Sequence, residues 1–111
     1  MTKQDLIDHC LTYPAAIETY PFDEYATVMK HGANGKMFAL IGIRNDRLYI
    51  NLKCDPFIAD ILRGSFESVV PGWHMNKTHW NTVYTDGDVS ESELYDMIRD
   101  SYDLVRPKRK R

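Results

Sequence analysis

Lys36-Met37-Phe38-Ala39-Leu40-Ile41-Gly42-Ile43-Arg44-Asn45-Asp46-Arg47-Leu48-Tyr49-Ile50-Asn51-Leu52-Lys53 is the stretch that decides the fold. Two runs of alternating period meet at Asn45-Asp46, a pair that tolerates positive φ and closes a two-residue hairpin loop. With the loop placed there, Ile43 faces Leu48, Ile41 faces Ile50 and Ala39 faces Leu52, which makes one apolar face for a core. The opposite face then carries Lys36, Phe38, Leu40, Arg44, Arg47, Tyr49, Asn51 and Lys53, bases and rings with a single amide.

Upstream of the hairpin, Tyr25–His31 reads as a third strand, joined to it through a turn at Gly32-Ala33-Asn34-Gly35. Residues 2–13 read as a helix with Thr2 as cap, Asp5 at N3, and Leu6, Ile7, Cys10 and Leu11 on one face. Pro14 ends that helix or begins a short second turn through Ala15-Ala16-Ile17, and Tyr20-Pro21-Phe22 is an extended connector. Downstream, Asp55-Pro56 is an N-cap with proline at N1. The helix it opens is expected to bury Ile58, Ile61 and Leu62 and to stop at Gly64. Trp80–Thr85 is a strand with Trp80, Thr82 and Tyr84 on one face and Asn81 and Val83 on the other. Ser90-Glu91-Ser92-Glu93 is a capping box for a last helix whose apolar stripe is Leu94, Met97, Ile98 and Val105, with Ser101 and Tyr102 adjoining. This order predicts an α+β fold of two layers, an antiparallel β-sheet with helices packed on one face. Residues 1–105 form a single domain and residues 106–111 a basic C-terminal tail.

Composition excludes several classes. At 111 residues with 43% hydrophobic and 27% charged residues, the chain suits one soluble globular domain rather than a disordered segment. No apolar run reaches the ~20 residues of a membrane span, and the N-terminus lacks the apolar core of a signal peptide, so the expected compartment is the cytoplasm. Cys10 and Cys54 lack metal-ligand spacing and read as reduced, largely buried thiols. The net charge of −2 conceals segregation. Residues 25–85 hold seven bases against four acids, residues 86–105 hold Arg99 against seven acids, and the tail holds five bases.

One segment follows no simple period: Pro71-Gly72-Trp73-His74-Met75-Asn76-Lys77-Thr78-His79-Trp80-Asn81-Thr82-Val83. Both tryptophans require burial and a partner for each indole N–H, while the polar residues between them suit a rim. The plain reading is a Pro-Gly turn into an edge strand. The segment also closely resembles the signature of the MmcQ/YjbR family of small bacterial proteins. Gly35-Lys36-Met37-Phe38-Ala39, Asn51-Leu52-Lys53-Cys54-Asp55-Pro56 and Ser101-Tyr102-Asp103-Leu104-Val105 resemble it too, in the family's order. That resemblance implies a double-wing, CyaY/frataxin-like fold and DNA binding, the latter by analogy of shape.

The residues themselves offer a nucleic-acid surface. Lys36, Arg44, Arg47, Lys53 and Lys77 can neutralise phosphates, and Asn51, Asn76 and Asn81 carry amides of the kind that read base edges. Tyr49 or Phe38 can stack on bases, and His74, Asn76, Lys77 and Trp80 form the conspicuous surface. The competing account is a sheet face on which Phe38 and Leu40 are simply core. The body's acidic balance also counts against dedicated DNA binding. The alternative function is a protein- or small-ligand-binding module on a groove lined by Trp73, His74 and Trp80. His74 and His79, with His31 or Asp55, lack the register of a metal site, and no metal or other cofactor is expected. A Cys54–His74 thiol pair is the minimum for a nucleophile, but no catalytic motif accompanies it, and the chain is expected to be non-enzymatic. The expected state is a monomer or weak dimer.

Overall fold

Asn45 and Asp46 sit at φ 52° and 61°, the left-handed pair that a tight hairpin of this twist demands. The computed structural model describes residues 1–108. The strands flanking the loop, β3 (Met37–Arg44) and β4 (Arg47–Lys53), pair in the expected register, with Ile43 opposite Leu48, Ile41 opposite Ile50 and Ala39 opposite Leu52. β2 (Thr27–His31) adds to β3, and β6 (Trp80–Tyr84) adds to β4. β1 (Ala16–Thr19) and β5 (Val69–Pro71) complete an antiparallel sheet of order β1-β2-β3-β4-β6-β5. Three helices, α1 (Lys3–Leu11), α2 (Pro56–Ser65) and α3 (Glu91–Val105), complete the α+β fold. The capping boxes Thr2/Asp5 and Ser90/Glu93 form as expected, and Asp55 caps α2 with Pro56 at its first position.

The core lies between helices and sheet. Leu6, Ile7 and Cys10 from α1 and Leu94, Ile98, Tyr102 and Val105 from α3 meet Met29, Ala39, Ile41, Ile50, Leu52 and Val83. The opposite face of the sheet carries a smaller cluster, Val28, Leu40 and Tyr49, with Trp73 and Tyr84 against it.

Four expectations change. Ala16–Thr19 is an edge strand, not a helical turn. Ala15 takes φ 59° and its carbonyl accepts the Gly32 N–H at 2.6 Å, so long-range pairing rather than local propensity sets this segment. Phe38 does not lie on the outer face. Met29 pairs with Ala39 but Lys30 with Met37, a bulge that turns the intervening ring inward, fully buried and edge-on to Tyr102 at 5.3 Å. Ile43 lies near the hairpin tip and is 64% exposed rather than core. On α2 only Ala59 is fully buried, and Ile58 and Ile61 face solvent.

The bulge opens the β3–β4 ladder beyond the Ala39–Leu52 pair, and the Ser101 hydroxyl fills the gap. It accepts the Lys53 N–H at 2.8 Å and donates to the Phe38 carbonyl at 2.5 Å. Three of the stretches that carry the family resemblance therefore converge on one oxygen atom.

Candidate functional site

The helix-free face of the sheet is where most of the expected site residues gather, and its geometry follows from the alternation of β4 and β6. Asn51 and Thr82 are paired across the ladder and point to this face. The Thr82 hydroxyl donates to Asn51 Oδ1 at 2.5 Å and accepts the Trp73 N–H at 2.8 Å. Asn51 Nδ2 donates to the Trp73 carbonyl at 3.2 Å, closing a ring of hydrogen bonds that docks Trp73 on the sheet. Tyr49 meets the indole edge-on at 5.8 Å, and the Arg44 guanidinium lies over it at 4.4 Å while donating to the Tyr84 hydroxyl. Arg47 covers the Tyr84 ring at 4.0 Å and grips Asp86 with contacts of 2.7 to 3.2 Å, holding that carboxyl below the usual carboxylate range. Burial, then the neighbouring Tyr84, pushes the Tyr49 hydroxyl above its ordinary range.

The 72–79 excursion between β5 and β6 is held at its base. Gly72 N–H donates to the Trp80 carbonyl at 2.9 Å, Lys77 Nζ donates to the Gly72 carbonyl at 3.0 Å, and Arg63 reaches the Trp80 and Lys77 carbonyls from α2. His74 takes φ 57° and rests against Trp73, ring centroids 4.1 Å apart. Asn76 Oδ1 accepts the Thr78 N–H, so one end of that amide is committed to the turn.

The sequence-derived candidates thus divide. Arg44, His74 and Lys77 surround the docked Trp73 or its loop, Arg47 lies over Tyr84 against Asp86, and Lys36 and Lys53 lie at the far ends of the strands. Tyr49 and Trp80 are buried, and so is Asn51, whose amide is consumed by the Trp73 ring of bonds. Asn81 lies on the helix side, 2% exposed, with its oxygen taken by Arg63 Nε at 2.6 Å. Asn51 and Asn81 are therefore structural amides rather than base readers, and Trp80, 9% exposed, offers little surface for a groove with Trp73. Cys54 lies on the helix side beside Ile58, Met97 and Asp100, whereas His74 rests against Trp73 on the other face. Among the described residues no three His, Cys, Asp or Glu side chains cluster to hold a metal. Tyr84 and Lys30 were not among the candidates although both belong to this face. Their strand parity was the available signal.

Charge separates by layer. β2, β3 and β4 carry Lys30, Arg44, Arg47 and Lys53 and no acid, whereas α3 carries five acids against Arg99. The basic tail lies partly outside the described residues, since only Arg106 to Lys108 are among them. No helix among the described residues is long and apolar enough to cross a membrane.

Residues 11–104 match the family model described as YjbR. An Escherichia coli K12 relative named "Uncharacterized protein YjbR" is 34% identical over 102 residues, covering 92% of this chain and 85% of the relative. A crystal structure of a Pseudomonas syringae protein superposes with a TM-score of 0.83 at 30% identity, covering 96% of this chain and all of that one. A Deinococcus radiodurans protein gives a TM-score of 0.85 at 39% identity over 94% of this chain and 78% of its own.

Proposed function

The chain belongs to the YjbR family, and from that premise we propose that it is a non-enzymatic DNA-binding domain that grips the phosphate backbone with the cationic layer of its sheet. The observation that carries this reading is the segregation of charge between layers, with bases on β2 to β4 and acids on α3. A polyanion approaches such a molecule sheet first. Lys30, Lys36, Arg44 and Lys53 are the phosphate contacts in this reading, and Lys77 flanks them. Base readout is a minor part of it, because the amides of Asn51 and Asn81 are spent inside the protein and one end of the Asn76 amide is committed to its turn. Backbone contacts alone give binding that is tolerant of sequence and sensitive to salt.

The test is fluorescence anisotropy with a random duplex and a single strand across a salt series, with and without residues 107–111. Binding should survive removal of the tail. Replacing Lys30, Lys36 and Lys53 by alanine should lower the salt slope by roughly one unit for each phosphate no longer neutralised. Binding that vanishes with the tail, or a slope indifferent to the three lysines, would remove the sheet from the interface.

A second reading is supported by the docked Trp73, half-buried between Arg44 and His74. A protein or small anionic ligand could use that corner. Such a ligand would lose affinity with His74→Ala or Arg44→Ala while the triple lysine variant bound it normally.

A further inference from the structure

We propose that the groove between α2 and α3 is a docking site for a basic amphipathic helix of a partner protein, independent of the nucleic-acid reading. Most of the apolar face of α2 stays out of the core. Phe57, Ile58 and Ile61 form an exposed stripe at 74%, 43% and 49% of their surface, one turn long and outward-facing. Across the gap, Leu104 of α3 is 47% exposed. Between them runs a groove of about 290 Å³ lined by Cys54, Asp55, Ile58, Asp100, Asp103 and Leu104. Its continuation inward is apolar, through Leu52, Leu62, Val83 and Met97, with Lys53 and Asn81 at the margin. Ile58 and Leu104 line the groove itself, and Phe57 and Ile61 extend the exposed apolar surface along α2 beside it, which is the pattern of an interaction surface.

The rim identifies the occupant. Asp55, Asp100 and Asp103 line the groove, and Asp60 and Asp96 stand on the same two helices. Arg99 lies 3.4 Å from Asp96 and 3.6 Å from Asp100, and Arg106 lies 3.4 Å from Asp103. Arg63, 3.5 Å from Asp60, is turned inward to Asn81 and Trp80. Among the residues lining the groove and its continuation, Asp55, Asp100 and Asp103 outnumber the one base, Lys53, and exposed pairs such as those of Arg99 and Arg106 hold each other weakly enough to exchange partners. A second copy docking here about a twofold axis would set acids against acids, and nucleic acid would be repelled. A helix with leucine-like residues on one face and lysine or arginine on its flanks satisfies both stripe and rim. A groove between two helices accepts a third by ridge-and-groove packing and offers no free strand edge for an extended peptide.

The probe is a synthetic leucine/lysine amphipathic helix, with its scrambled isomer and a leucine/glutamate counterpart as controls, bound to the full-length chain. The leucine/lysine helix should bind at least about tenfold more tightly than either control. Its amide shifts should fall on residues 54–62 and 97–104, and it should slow modification of Cys54 by a thiol reagent. Ile58→Ser and Leu104→Ser should each weaken it by about tenfold, as expected for anchors at the centre of an interface. Asp100→Asn with Asp103→Asn should weaken it and flatten its salt dependence. Because all four positions are exposed, circular dichroism should find each variant folded, and the two classes of variant check one another. Equal binding of the scrambled peptide, or shifts on the sheet face, would reduce the effect to diffuse attraction and overturn the proposal. A dimer in sedimentation velocity that Ile58→Ser dissolves would overturn it in favour of a second copy.

Discussion

Ser101 carries neither charge nor ring, yet its hydroxyl replaces one rung of a sheet. Removing it leaves a buried N–H on Lys53 and a buried carbonyl on Phe38 without their partner. Ser101→Ala should therefore destabilise the fold by about 1–3 kcal/mol, measured as a lower midpoint in urea denaturation at unchanged slope. Asp88 performs a comparable service at the surface. Its carboxylate accepts from the Ser68 hydroxyl and from the backbone N–H groups of Ser68 and Glu67, bonds that pull its pKa down to about 2. Because the folded value is depressed, the stabilisation is complete above the ordinary carboxylate range and is lost as pH falls toward 2. Asp88→Asn should flatten the stability profile across that interval, followed by urea titrations at stepped acid pH. Such roles were only partly legible in the sequence. The helical stripe placed Ser101 beside the core, but its task depends on a bulge at Phe38, 63 residues earlier in the chain, which no local pattern announces.

At the scale of elements, the register of the β3–β4 hairpin could be read, although the inward turn of Phe38 and the exposure of Ile43 could not. Asn45 and Asp46 supplied the turn, and the turn fixed every cross-strand pair that followed. Asp46→Val should cost about 1–2 kcal/mol, because a β-branched residue resists the left-handed region, and thermal unfolding would report the loss. An exposed valine elsewhere, at Ile43 for instance, should be nearly silent by the same measure. β1 escaped detection because four residues with weak alternation become a strand only when β2 lies alongside them. The start of α2 was legible from its cap, but the helix runs through Gly64 to Ser65, and neither that end nor the direction of its apolar face was legible. Helical spacing says which residues share a face and not what that face meets.

The whole molecule is a pair of unlike plates. Its architecture, antiparallel sheet with three helices, followed from the order of elements, and relatives with TM-scores above 0.8 share it. The candidate site was less legible. Cations were found by strand parity, whereas the amides chosen as contacts proved to be internal braces, because sequence alone cannot tell a buried asparagine from an exposed one. What the plates imply together is a matter of orientation. A protein of formal net charge −2 is expected to pass through a sulfonate resin at neutral pH. This one, even shortened by residues 107–111, should be retained at low ionic strength on sulfonate and quaternary-amine resins alike, turning a different plate to each matrix. Retention on both should fade as added salt shortens the screening distance to ~10 Å or less. Replacing Lys30 and Lys53 by alanine should release it from the sulfonate resin only.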